Sequence, residues 1–216
     1  MNFKYACFIS YRHLGEEMQY FVQMLYERLS EKLPLELAGN EIVFLDEERL
    51  KTGDILDGEI SAALCQSVCF LVIYTRSYLS ADHPYCAREL YAFLELEKKR
   101  KTALGNENLG LVLSIILSGK RDEIPDILSA NRIYTTKFQE FKKIGFRYFT
   151  TAQRRRFETE VSNLTELIAE RVRILERYSQ NDCKDFQLLD AEEERIQDFI
   201  KSGNIDFEDI KDQFPK

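Results

Sequence analysis

The sequence predicts an α/β domain built on a five-stranded parallel sheet flanked by helices. Short apolar runs rich in β-formers alternate along the chain with stretches whose apolar residues recur every three or four positions. The run at residues 68–74 is apolar nearly throughout, as a strand covered by helices on both faces requires. With 216 residues, 44% hydrophobic and 31% charged, the chain suits one ordinary domain with an appendage.

Residues 4–10 read as the first strand, and Met18, Val22, Leu25 and Leu29 follow at helical spacing. Pro34 and Gly39-Asn40 are expected to end that helix. Residues 42–45 make a second short strand, residues 46–57 a long polar loop, residues 60–64 a second helix and residues 68–74 the third strand. Ser77 and Ser80 offer capping oxygens, and Pro84 suits a first helical turn, ahead of a helix carrying Leu90, Phe93 and Leu94. Residues 109–117 form a fourth buried strand and residues 132–134 a short fifth, while the aromatic-rich stretch 138–149 carries no assignment. Phe157, Val161, Leu164, Ile168, Val172 and Leu175 form an apolar stripe, so a long helix is expected near residues 152–177. Strands alternating with helices imply right-handed crossovers and a parallel sheet.

Beyond Tyr178, Ser179-Gln180-Asn181-Asp182 reads as a linker. Residues 179–216 hold eleven acids against five bases, whereas the first 178 residues are nearly balanced. The expected division is therefore a domain over 1–178 and an acidic C-terminal extension over 179–216, partly helical near 191–200. Charge, not hydrophobicity, marks the change. Arg154, Arg155 and Arg156 read as a solvated or partner-facing patch, on which the acidic extension could dock only weakly.

Formal net charge is −7, which argues against a nucleic-acid binder working through phosphate neutralisation. The apolar runs are far shorter than the roughly 20 residues that span a bilayer, and the start of the chain has no signal-peptide pattern. A soluble, cytoplasmic protein with neither nucleic acid nor membrane as partner is expected. Five cysteines without CxxC or Cys/His ligand spacing indicate neither a disulfide framework nor a metal site. Cys7, Cys65 and Cys69 are expected in the core. His13 and His83 are expected in ordinary polar surface roles.

The candidate for chemistry is Glu89, in Tyr85-Cys86-Ala87-Arg88-Glu89-Leu90. An acid near the start of a helix that follows a buried strand lies at the carboxyl edge of a parallel sheet, where open α/β folds bind ligands. Ser10, Tyr11 and Arg12 follow the first strand and reach the same edge. No Gly-x-Gly-x-x-Gly or Walker-type phosphate loop occurs, so neither a Rossmann dehydrogenase nor a P-loop nucleotidase is indicated.

Three segments together resemble the central motifs of the Toll/interleukin-receptor (TIR) domain family. They are Tyr5-Ala6-Cys7-Phe8-Ile9-Ser10-Tyr11 with Arg12, then Phe44-Leu45-Asp46-Glu47-Glu48-Arg49-Leu50-Lys51-Thr52-Gly53-Asp54, and the segment around Glu89. The resemblance spans roughly residues 1–178 and implies a flavodoxin-like TIR fold. It implies that Glu89 is the catalytic residue of an NAD+ nucleosidase or cyclase, with NAD+ as substrate and no cofactor or metal. Ser10, Tyr11, Arg12, Asp46, Glu48, Leu50, Gly53 and Tyr85 would contact the substrate. Tyr85 stands where the family usually has tryptophan, and Tyr can still stack on a planar ring. The 46–58 loop corresponds to one that packs on a neighbouring TIR domain, which implies self-association and a downstream effector or activating partner, in prokaryotic antiphage immunity. The alternative implied is a non-catalytic adaptor acting through TIR–TIR assembly. A phosphoacceptor receiver domain would need an acidic pair after the first strand and an Asp after the third, where Ser10-Tyr11 and Tyr74-Thr75 stand instead.

Overall fold

The computed structural model describes residues 3–37, 42–45, 54–119, 124–129, 133–135, 138–142, 149–178, 183, 186 and 193–202. Five strands, β1 (Tyr5–Tyr11), β2 (Ile42–Leu45), β3 (Ser67–Tyr74), β4 (Val112–Ile116) and β5 (Ile133–Thr135), pair in the order β2-β1-β3-β4-β5, every pair parallel. This is the flavodoxin-like order. Helices α1 (Gly15–Leu37), α2 (Asp54–Cys65), α3 (Tyr85–Leu104), α4 (Asp126–Ser129), α5 (Gln139–Lys142), α6 (Thr151–Leu175) and α7 (Glu193–Ser202) complete the chain.

Packing of α1 against α6, and of α2 against α3, sorts the main helices into two layers around the sheet. The two cores differ. Phe8, Phe44 and Phe70 stack in a row that Phe93 of α3 continues, while Phe21, Phe138, Phe141, Phe149 and Phe157 interlock beside α1 and α6. The stretch without a helical period is thus a supply of core rings flanking the short α5. Every residue of β3 is buried, in keeping with its unbroken apolar character.

Three local expectations are corrected. Pro34 lies inside α1: a mid-helix proline forfeits one backbone bond, yet Leu33 is fully buried and Leu37 packs on the core, so the helix continues for another turn. Neither Ser77 nor Ser80 caps α3; Pro84 is its N-cap residue and makes no side-chain cap. α2 begins at Asp54, well before residue 60. At α6, by contrast, Thr150 and Gln153 form a reciprocal capping box, which satisfies two backbone donors that a bare helix start would leave open.

The cysteine reading is also corrected. Cys65 is buried as expected, but it is bonded to Cys183 across 118 residues of sequence. No local spacing could announce a partner that only the fold brings close. Cys7 and Cys69 are free, buried and paired across β1 and β3; burial pushes the Cys7 thiol well above its usual range and Cys69 up to about 12, leaving both inert. Helix α7 packs on α3, with Ile196 and Phe199 buried and the Phe199 ring edge-on to Tyr91 at 5.8 Å.

Candidate functional site

Alternation along β1 aims the site. Phe8 stacks toward the α3 face, and a residue two positions on points the same way, so Ser10 faces α3 as well. Ser10 pairs with Val72 of β3, close to the carboxyl ends of both strands. In the 2-1-3-4-5 order the connections leave β1 and β3 in opposite directions, which opens a crevice at that edge. Glu89, in the second turn of α3, meets Ser10 there: Ser10 Oγ donates to Glu89 Oε2 at 2.7 Å. The Tyr78 hydroxyl, from the turn between β3 and α3, lies 2.7 Å from the same Ser10 Oγ.

All three side chains are sealed, with Glu89 only 1% exposed and Tyr78 fully buried. Hydrogen bonds formed in such a low-dielectric setting are stronger than in water, and the cost of losing one is correspondingly higher. The turn that carries Tyr78 is itself held. Tyr78 donates its backbone N–H to Thr75 O, and Arg12 donates to Ser77 O at 2.6 Å. Cys86 of α3 donates to Tyr11 O at 3.5 Å, tying the end of β1 to the helix start. The Tyr11 ring lies tilted against that of His13, with centroids 4.5 Å apart.

The structure therefore brings Ser10, Tyr11, Arg12 and Glu89 to one edge. Tyr85 stands at the start of α3, 52% exposed, with the Arg88 guanidinium 5.9 Å from its ring centre. Asp46, Glu48, Leu50 and Gly53 lie outside the described residues. Tyr78 is the residue that motif reading missed. Its signal was a tyrosine in the turn directly after a fully buried strand, a position that faces the ligand edge.

Among the described residues no cluster of His, Cys, Asp or Glu could hold a metal ion, and no helix is long and apolar enough to cross a membrane. What the edge holds is a carboxylate bonded by the Ser10 hydroxyl, with Arg12 anchored on the turn after β3. That suits electrostatic stabilisation of a developing cation.

Residues 7–147 match the TIR domain family. No curated protein matches the chain. Among solved structures, the TIR domains in the structure of the activated Roq1 resistosome directly recognizing the pathogen effector XopQ are similar at 19% identity, with a TM-score of 0.41. That similarity covers 92% of this chain and 98% of the other.

Proposed function

Since the chain belongs to the TIR domain family, we propose that it cleaves the nicotinamide–ribose bond of NAD+, with Glu89 as the catalytic residue. The observation that carries this reading is the carboxylate at the β1/β3 crevice, where the Ser10 hydroxyl donates to it. Nicotinamide leaves as a neutral base from a cationic pyridinium, so no general acid has to protonate it. Half of the usual two-carboxylate glycosidase machinery is therefore dispensable. The remaining demand is for negative charge beside an oxocarbenium-like ribosyl cation, which the Glu89 carboxylate supplies while hydrogen-bonding ribose hydroxyls. Capture by water yields ADP-ribose, and capture by a nucleophile of the same molecule yields a cyclic ADP-ribose-type signal.

In this reading Tyr85 offers a ring face to the nicotinamide or adenine, and Arg12 a planar cation to the diphosphate. Asp46, Glu48, Leu50 and Gly53 complete the pocket, in part through a neighbouring protomer. The setting is prokaryotic, antiphage immunity in the cytoplasm, with the nucleotide product acting on a downstream effector.

The deep burial of Glu89 favours a second reading for the isolated protomer, that of an adaptor working only through TIR–TIR assembly. One experiment separates the two. Purified protein is incubated with NAD+ over a wide range of protein concentration, and products are identified by mass spectrometry. The enzymatic reading expects nicotinamide with ADP-ribose or its cyclic form, in a yield per protomer that rises with concentration, and loss of turnover by about 10²–10³ in Glu89→Gln. Glu89→Gln turning over NAD+ at the parental rate defeats the assignment of Glu89. Absence of nicotinamide release at every concentration favours the adaptor.

A further inference from the structure

Ser10 stands between two partners whose roles its single proton fixes. A serine hydroxyl has one hydrogen to donate, and Ser10 Oγ donates it to Glu89 Oε2 at 2.7 Å. The 2.7 Å contact between Ser10 Oγ and the Tyr78 hydroxyl then has Tyr78 as donor and Ser10 as acceptor. We propose that Tyr78 and Ser10 form a two-hydroxyl relay that positions the Glu89 carboxylate for the ribosyl cation, Ser10 directly and Tyr78 through Ser10. The proposal rests on the reading of Glu89 as the catalytic residue.

Neutral donors suit that task for a physical reason. A lysine or arginine bound to Oε2 would orient the carboxylate but neutralise the charge that the transition state needs. Two hydroxyls in series fix the oxygen and bring no charge of their own. Each bond in a chain of this kind polarises the next, so the Tyr78 hydroxyl strengthens a bond it does not itself make. The sites are preset by different elements: Ser10 by the alternation of β1, Glu89 by α3, and Tyr78 by a turn anchored through Thr75 O and through Arg12 on Ser77 O. Tyr74 lies beside Tyr78 with ring centroids 6.3 Å apart, which confines the phenol. The arrangement gives Ser10 a positioning role in place of the substrate contact implied by its motif.

The test uses the full chain carrying Ser10→Ala or Tyr78→Phe, with two readouts. In NAD+ turnover, Ser10→Ala is expected to lower kcat about ten- to a hundredfold and Tyr78→Phe about three- to tenfold, with KM for NAD+ nearly unchanged. A raised KM with kcat intact would mean that Ser10 binds substrate, and an unaltered kcat in both variants would mean that the hydroxyls only pack; either result overturns the relay. The second readout needs no turnover. In thermal unfolding, Ser10→Ala and Tyr78→Phe are each combined with Glu89→Gln, and each is expected to lower Tm by less in the Glu89→Gln background than in the parent. Strictly additive Tm changes overturn the relay. If the parent chain does not cleave NAD+, the enzymatic reading fails and these unfolding cycles still decide whether the hydroxyls act on Glu89. Tyr78→Phe keeps the buried ring, so it serves if Ser10→Ala does not fold.

Discussion

Helix α3 carries buried charge at both ends, and the two ends are satisfied in different ways. Near its start, Glu89 is held by the hydroxyl of Ser10, backed by that of Tyr78. Toward its far end, Glu97 Oε1 accepts the backbone N–H of Leu111 at 2.7 Å and of Val112 at 3.4 Å, and its Oε2 pairs with Lys101 Nζ at 3.7 Å. Arg100 donates to the carbonyls of Cys65 and Ser67 at 2.8 Å and of Val68 at 3.4 Å, and lies over the rings of Phe3 and Phe93. Burial pulls the Arg100 guanidinium down to about 10, still charged at neutral pH. Backbone partners cannot rotate away, so the Glu97 and Arg100 end is a fixed joint between α3, the α2–β3 turn and the entry to β4. Hydroxyl partners bring no charge of their own, so they orient a carboxylate without neutralising it. Burial of charge is common to the two ends; the kind of partner separates chemistry from construction.

The comparison breaks if the two ends respond alike to substitution. The largest effect expected is at the extension, which bonds to Cys65 beside the fixed end and packs α7 on Tyr91 nearer the start of α3. A chain ending at residue 178 loses the Cys65–Cys183 bond and the burial of Ile196 and Phe199. At about 1.5–3 kcal/mol per buried side chain, with the disulfide adding about 2–4 kcal/mol, differential scanning calorimetry should record a Tm lower by more than about 10 °C. A Tm within about 2 °C of the parent would show that the extension merely lies on the surface.

Arg100→Met comes next, because it keeps length but strands three buried carbonyls. A cost of about 3 kcal/mol and a Tm lower by roughly 10 °C are expected, while kcat measured well below the melting range stays within about twofold of the parent. Glu89→Gln should give the mirror image, losing turnover with little change in Tm. If Arg100→Met abolishes turnover in fully folded protein, the far end is not merely construction.

Reducing Cys65–Cys183 with a dithiol should cost about 2–4 kcal/mol, since the bond closes a loop across 118 residues of sequence. The check is thermal unfolding with and without reductant, beside Cys183→Ser, in which reductant should have no further effect. An equal response to reductant in Cys183→Ser would place the sensitivity elsewhere.

The smallest effect concerns Glu95, midway between the two ends and satisfied by neither device. Its Oε1 is buried without a hydrogen-bond partner among the described residues, and burial raises its carboxyl above the usual range, against the pull of Lys98 and Lys99. The folded state therefore binds this proton more tightly than the unfolded chain, so the group favours folding when protonated and loses that contribution as pH rises through its folded value. Glu95→Gln should raise stability at pH 7 by less than about 1 kcal/mol, and the gain should shrink as pH falls through the carboxylate range. Urea titrations at pH 7 and pH 4 read the difference, and a gain that grows at pH 4 would reverse the sign.

The amino-acid sequence by itself determined the order and kind of the main elements. The unbroken apolar runs of β1 and β3 and the period-3.6 patterns of α1, α3 and α6 follow from which faces each must bury, and that information is local. It also placed Glu89 at the ligand edge, because strand, turn and helix succeed one another within a short stretch of chain. Their position at the end of the first strand brought Ser10, Tyr11 and Arg12 to the same edge. Tertiary structure alone decided what these residues touch. That Ser10 gives its proton to Glu89, that Tyr78 stands behind it and that Arg12 holds the turn at Ser77 depend on contacts spanning some 65 to 79 residues of sequence, for which no local pattern exists. The same holds for Cys65 with Cys183, and for α7, whose acidic composition suggested at most weak docking on the Arg154–Arg156 patch. Two well-placed apolar residues, Ile196 and Phe199, suffice to dock one face of a helix when a complementary face such as that of Tyr91 awaits it, and a face of that kind exists only once the chain has folded.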